Sequence, residues 1–74
     1  MFELYYRSPE DTARESRIIA EVVASGGRLD YRESADKPDG AICLTFEFEN
    51  RELAESVAES LRQRGERVEA VGDY

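Results

Sequence analysis

The stretch that constrains the fold most is "AICLTFEFEN", residues 41–50, because apolar and polar side chains alternate along it. Its apolar positions are Ile42, Leu44, Phe46 and Phe48. Its intervening positions are Cys43, Thr45, Glu47 and Glu49. A period of two is typical of a strand that buries one face against a core and leaves the other open. We therefore predict a strand here and ask what its open face does.

Three further stretches have the composition of strands. In "FELYYR", residues 2–7, Phe2, Leu4 and Tyr6 are expected to face the core. "RLDYRES", residues 28–34, is short and polar, which suits a sheet edge. Its inward positions are Leu29 and Tyr31, and its outward positions are Arg28, Asp30 and Arg32. "ERVEAVGDY", residues 66–74, ends the chain. Its inward positions are Val68 and Ala70, and its outward positions are Glu69 and Val71.

Two amphipathic helices separate these strands. The first is predicted from an N-cap at Ser8, with Pro9 in the first helical position, to about Ser25. Its apolar stripe consists of Ile18, Ile19, Val22 and Val23. The second is capped by Asn50 and ends at Gly65. Its inward positions are Leu53, Ala54, Val57, Ala58 and Leu61.

The order strand, helix, strand, strand, helix, strand predicts one α+β domain spanning residues 1–74. A right-handed crossover from the first strand to the second leaves room for the third between them. The expected fold is the βαββαβ ferredoxin-like two-layer sandwich, with an antiparallel sheet in the order 4-1-3-2 and both helices on one face. This order places the most apolar strand inside the sheet.

The residue types present argue against catalysis. The chain has no histidine and a single cysteine, which removes the usual general base, the common nucleophile pairs and a zinc cluster. No glycine-rich phosphate loop precedes either helix, and the "DKPDG" loop lacks the ligands of a calcium site. We expect no enzymatic activity, no metal and no cofactor.

The net charge of the chain limits the classes of molecule that it is expected to bind. The net charge is −7, and the ten basic residues are interspersed with acids, so nucleic acid and anionic membranes are disfavoured. A lone cysteine suits a reducing compartment, and the N-terminus lacks the pattern of a signal peptide. We expect a cytoplasmic protein.

The candidate functional site is the open face of the sheet. Its predicted members are Tyr5, Cys43, Thr45, Glu47 and Val71. Cys43 is interpreted as a small residue of this face, with a reactive thiol as the alternative. We expect a non-enzymatic protein-interaction or regulatory module that binds a protein partner or a second copy, giving a homodimer. The alternative is a small-ligand-sensing regulatory domain of ACT-like type.

The second half of the chain, "LTFEFENRELAESVAESLRQRGERVEAV", resembles the corresponding half of proteins in the regulator of ribonuclease activity B family. That resemblance implies a ferredoxin-like, cytoplasmic protein that binds and inhibits an endoribonuclease. SPOR domains, which are exported and bind peptidoglycan, share the pattern, as do ACT-like modules. ACT-like modules usually carry a glycine-containing turn after the first strand, from which "RSPED" departs. The resemblance assigns no functional residue.

Overall fold

The computed structural model contains two helices and a four-stranded antiparallel sheet, which confirms the α+β class. It describes residues 1–7, 9–34 and 40–69. The elements are β1 (Phe2–Arg7), α1 (Thr12–Ala24), β2 (Gly27–Glu33), β3 (Ala41–Phe48), α2 (Arg51–Gln63) and β4 (Arg67–Val68).

The sheet has the order β2-β3-β1-β4, which is 4-1-3-2 when read from the β4 edge. The apolar strands β1 and β3 therefore lie at its centre. Among the described residues β4 pairs with β1 over two positions only, Leu4 with Val68 and Tyr5 with Arg67. The carboxyl end of β1 consequently extends past β4, and none of the described strands pairs with that edge there.

One hydrophobic cluster joins the sheet to both helices. The first strand contributes Phe2, whose ring lies 5.5 Å from that of Phe46 and 5.7 Å from that of Phe48, measured between ring centroids. The cluster draws only on alternate residues of β1 and β3 and includes residues of both helices, so the two helices pack on the same side. Its members are Phe2, Leu4, Tyr6, Ile18, Val22, Ile42, Leu44, Phe46, Phe48, Ala54, Val57, Ala58, Leu61 and Val68.

The start of α1 differs from the prediction. The helix begins at Thr12, and Asp11 is its N-cap, with a side chain that accepts a hydrogen bond of 3.0 Å from the Arg14 N–H. The Asp11 N–H donates in turn to the Tyr6 hydroxyl at 3.1 Å. Aspartate is as good an N-cap as serine, and this contact with β1 selects it. The predicted cap at Ser8 is therefore wrong, and Ser8 itself lies outside the described residues.

The other helix ends agree with the sequence. Asn50 caps α2 by accepting a hydrogen bond of 3.1 Å from the Leu53 N–H. Gly26 follows α1 with φ +97°, and Gly65 follows α2 with φ +94°. Glycine adopts this left-handed conformation without the steric cost that a Cβ brings, so both turns use it to leave the helix.

A β-bulge changes which side chains of β2 face the core. Leu29 pairs with Phe46, but the next pair is Tyr31 with Thr45, so Asp30 is an extra residue in β2. One extra residue inverts the facing of everything after it. Tyr31 was predicted to point inward, and this is wrong: it is 58% exposed on the side away from the helices.

The same bulge turns Arg32 toward the helices. It pairs with Leu44 and reaches Glu15 of α1, which is only 5% exposed. Arg32 Nε lies 2.7 Å from Glu15 Oε1, and Arg32 Nη2 lies 3.0 Å from Oε2. The hydroxyl of Tyr6 also donates to Glu15 Oε2. The hydrogen bonds from Arg32 lower the pKa of Glu15, and the carboxylate raises the pKa of Arg32.

The apolar stripe of α1 is narrower than predicted. Ile18 and Val22 are buried, whereas Val23, predicted to face inward, is 56% exposed. Leu53 of α2 is also 39% exposed, although it lies close to the Gly26 turn, 3.2 Å from where a Cβ would stand there. Glu15 takes the place on α1 that a further apolar residue would fill, so the helix is fixed by polar contacts at one end and apolar contacts at the other.

Candidate functional site: the open face of the sheet

The open face is the side of the sheet away from both helices. Strand register and alternation assign its members. They are Glu3, Tyr5 and Arg7 on β1, Arg28, Tyr31 and Glu33 on β2, Cys43, Thr45 and Glu47 on β3, and Arg67 on β4.

Four of the five predicted site residues lie together on this face. Tyr5, Cys43, Thr45 and Glu47 are all half-buried, and Tyr5 pairs directly with Cys43 across the centre of the sheet. The fifth, Val71, lies outside the described residues.

Register arranges the face in rows that cross the strands. One row runs Glu33, Cys43, Tyr5, Arg67, from the β2 edge to the β4 edge. It therefore begins with an acid, passes through a small thiol and an aromatic ring, and ends with a base. A neighbouring row runs Tyr31, Thr45, Glu3. A third joins Arg28 to Glu47.

Cys43 sits in surroundings that disfavour its thiolate. Burial is the main cause that raises its pKa, and the negative charge of Glu3 adds to it. The thiol lies 3.7 Å from Glu3 Oε2, to which it donates, and 3.9 Å from Thr45 Oγ1. Among the described residues no cation lies beside the thiol to lower its pKa, because Arg7 of the adjacent strand pairs with Ala41 and not with Cys43. The geometry supports a packing role for this side chain.

Tyr5 is held as a neutral aromatic surface. Burial, followed by the neighbouring Cys43 and Glu3, raises the pKa of its hydroxyl to about 12. The guanidinium of Arg67 lies over its ring, 5.7 Å from the centroid. This cation–π contact fixes the arginine beside the ring and is worth on the order of 0.5–1 kcal/mol at an exposed site.

Glu47 is engaged by a neighbouring strand. Its Oε1 lies 2.8 Å from Nη2 of Arg28 in an exposed ion pair. The next acid along the chain, Glu49, lies beyond the end of β3 and is exposed, so the two carboxylates do not form a buried pair.

Six members of the face were not among the predicted site residues, namely Glu3, Arg7, Arg28, Tyr31, Glu33 and Arg67. The alternation of side chains along a strand is sufficient to predict that Glu3 and Arg67 lie on this face. The position of Tyr31 could not be predicted in this way, because no residue type in the sequence marks the bulge at Asp30. Together with Tyr5 it gives the open face two tyrosines on different strands.

Other kinds of site find no support in the described part of the chain. Its cysteine and acidic side chains form no cluster of three that is suited to holding a metal ion. None of the helices described has both the length and the apolar character needed to span a bilayer.

Searches against protein-family models, curated proteins and solved structures found no match to this chain. The resemblance to the regulator of ribonuclease activity B family therefore stays a hypothesis.

Proposed function

We propose that this protein is a non-enzymatic protein-interaction module of the ferredoxin-like fold, and that its open face binds a second copy of the same chain. The observation that carries the proposal is the row Glu33, Cys43, Tyr5, Arg67, whose ends bear opposite charges. A cytoplasmic site of action belongs to the proposal and is supported by the single, free cysteine.

This row is complementary to itself under two-fold rotation. An axis parallel to the strands, between β1 and β3, brings β2 of one copy over β4 of the other. Glu33 then lies opposite Arg67 of the second copy at both ends of the row, and Cys43 lies opposite Tyr5 in the middle. Isologous interfaces of this kind are the commonest in homo-oligomers, and charge complementarity fixes their register.

The size of the face predicts a weak dimer. Four strands at a spacing of about 4.8 Å span about 19 Å, and six residues of strand span about 20 Å. This area, on the order of 400 Å² per copy, lies at the small end of specific interfaces. We therefore expect a dimer that dissociates on dilution, with neutral tyrosine rings at its centre and ion pairs at both ends of the row.

Light scattering over a range of protein concentrations tests the proposal. The parent chain is expected to shift from monomer to dimer as concentration rises. Glu33→Arg and Arg67→Glu should each stay monomeric, because each puts like charges in contact at both ends of the row. An equimolar mixture of the two variants should dimerise again, since every contact between unlike copies then joins opposite charges. Tyr5→Glu should also abolish the dimer by placing a charge at its centre.

Arg17→Glu is the matched control, because it reverses one charge on the exposed surface of α1 and should leave the dimer unchanged. A parent chain that remains monomeric at millimolar concentration would overturn the proposal. So would a dimer of the parent that is not regained in the mixture of variants.

A further inference from the structure

A cleft opens where β4 stops short of the end of β1. Because the first paired residue of β4 is Arg67, the last two residues of β1 have no neighbour on that edge among the described residues. The space between this edge, the first turn of α1 and the turn after α2 has a volume of about 370 Å³. That volume falls within the range of small-molecule sites.

Among the described residues, the charged side chains that line the cleft are the arginines Arg7, Arg14 and Arg67, although the chain carries a net charge of −7. Arg7 is exposed and forms no ion pair with any residue of 1–7, 9–34 or 40–69. A guanidinium with no carboxylate partner in this described part of the chain, next to two others, creates a local positive field. The cleft is thus a positively charged region on a protein whose net charge is negative.

The other two arginines are partly engaged but keep donors free. Arg14 uses Nε and Nη2 for Glu66, at 3.4 and 2.5 Å, and Arg67 uses Nη2 for Glu69 at 3.3 Å. Each guanidinium has five N–H donors, so both retain N–H groups for a further acceptor. Neither Glu66 nor Glu69 lines the cleft.

Two tyrosine rings hold these guanidiniums in place. Arg14 lies over the ring of Tyr6 at 5.3 Å, and Arg67 lies over the ring of Tyr5 at 5.7 Å, each measured to the centroid. Ordering the side chains before a ligand arrives reduces the entropy that binding costs. Tyr5 and Tyr6 also line the cleft and give it aromatic surface beside the charges.

The backbone of β1 adds one more donor. The Glu69 N–H donates to the Glu3 carbonyl at 2.8 Å, so the backbone groups of Glu3 point toward β4. Alternation along a strand directs those of Arg7, four residues later, to the same side, where β4 is missing and the cleft begins.

We infer that this cleft binds a small organic oxyanion, a phosphate monoester or a carboxylate, whose negative group meets Arg7 and whose body lies against Tyr5. Guanidinium forks match both oxyanions in geometry and charge. This site goes beyond the proposed interaction through the open face.

Amide chemical shifts of the isotope-labelled protein test the inference. The probes are phenyl phosphate and benzoate, which share a ring but differ in their anionic group, with benzyl alcohol as the neutral counterpart. At constant ionic strength, at least one anion should give saturable shifts centred on Arg7, Gly65 and Arg67, and the alcohol should give none. The anion that binds more tightly identifies the oxyanion class.

Arg7→Gln should weaken binding by about tenfold, the loss of roughly one charge-assisted hydrogen-bonded contact. Arg28→Gln, an exposed arginine at the opposite edge of the open face, should bind as the parent does. Absence of saturable shifts with both anions would overturn the inference, as would equal weakening by the two variants. The same titration on Glu33→Arg, which leaves the cleft unaltered, separates this result from the outcome for the dimer.

Discussion

Arg32 of β2 donates two hydrogen bonds to the buried carboxylate of Glu15 on α1, through Nε at 2.7 Å and Nη2 at 3.0 Å. The pair exists because a bulge at Asp30 turns Arg32 toward the helices. It links the polar end of α1 to an edge strand that makes few apolar contacts with the core. Removing Arg32 leaves the buried carboxylate of Glu15 with the hydroxyl of Tyr6 as a donor but without its cationic partner.

Truncation of Arg32 should therefore destabilise the fold. Arg32→Ala is expected to lower the free energy of unfolding by more than the loss of an exposed pair, because it removes the cationic partner of the buried Glu15 carboxylate. Arg28→Ala, which breaks an exposed pair in the same strand, should cost less than about 1 kcal/mol. Urea denaturation measures both. Equal costs would show that burial of Glu15 contributes nothing.

Acid should weaken the same contact. Arg32 lowers the pKa of Glu15 in the folded state, so the unfolded chain takes up the proton first as pH falls. The stabilisation is present in full above the pKa of unfolded glutamate, roughly 4.3, and is lost as pH falls through the lower folded value. Comparison of the parent with Glu15→Gln isolates this group from the other carboxylates. The difference between their free energies of unfolding should shrink between pH 6 and pH 3, roughly the window in which such groups titrate; a constant difference would contradict the assignment.

Deletion of Asp30 should be tolerated. Because Asp30 is the extra residue, its removal joins Leu29 to Tyr31 as a regular strand and keeps the facing of Tyr31 and Arg32. Arg32→Ala should cost the same in the deletion background as in the parent, when measured by denaturation. Deletion of Thr45, in the regular central strand, is the control and should prevent folding by inverting the residues that follow.

Replacement of Gly27 by a residue with a side chain should destabilise the fold. A Cβ there would lie 2.5 Å from Cζ of Phe48, a buried core residue with no room to move. Gly27→Ala is expected to cost about 1–3 kcal/mol by overpacking. The double variant with Phe48→Leu should cost less than the sum of the two single changes, as a thermodynamic cycle will show. Gly65→Ala meets no atom within 4 Å and should cost only about 1 kcal/mol, from its positive φ.

Cys43 should be slow to react. Burial and Glu3 raise the pKa of its thiol, so little thiolate is present near neutral pH. Alkylation by iodoacetamide at pH 8 should be slower than that of an unstructured cysteine peptide, and Glu3→Gln should accelerate it. A rate equal to or above that of the peptide would instead support a reactive thiol.

Alternation and helical period were sufficient to predict β1, β3 and α2, because their residue types repeat with the period of the element. The faces of Tyr5, Cys43, Thr45 and Glu47 followed from the same alternation. These signals are local, and each strand carries its own.

Two features escaped the sequence because they depend on distant parts of the chain. Asp30 does not differ in type from any polar strand residue, and only its pairing with β3 makes it extra. Glu15 reads as a solvent-exposed helix residue until Arg32 and Tyr6 are brought to it from two strands. The N-cap was misplaced for a related reason, since both Ser8 and Asp11 suit a cap and a contact with Tyr6 decides between them.

Tyr31, Arg32 and Glu33 are consecutive, and they point alternately away from the helices, toward them and away again. An apolar contact tolerates sliding, whereas directional hydrogen bonds to Glu15 admit one axial position of β2 relative to α1. The contact between Arg32 and Glu15 therefore also determines where Tyr31 and Glu33 lie on the open face. Protonation of Glu15 would remove this constraint and loosen β2 at the open face, on the opposite side of the sheet from Glu15.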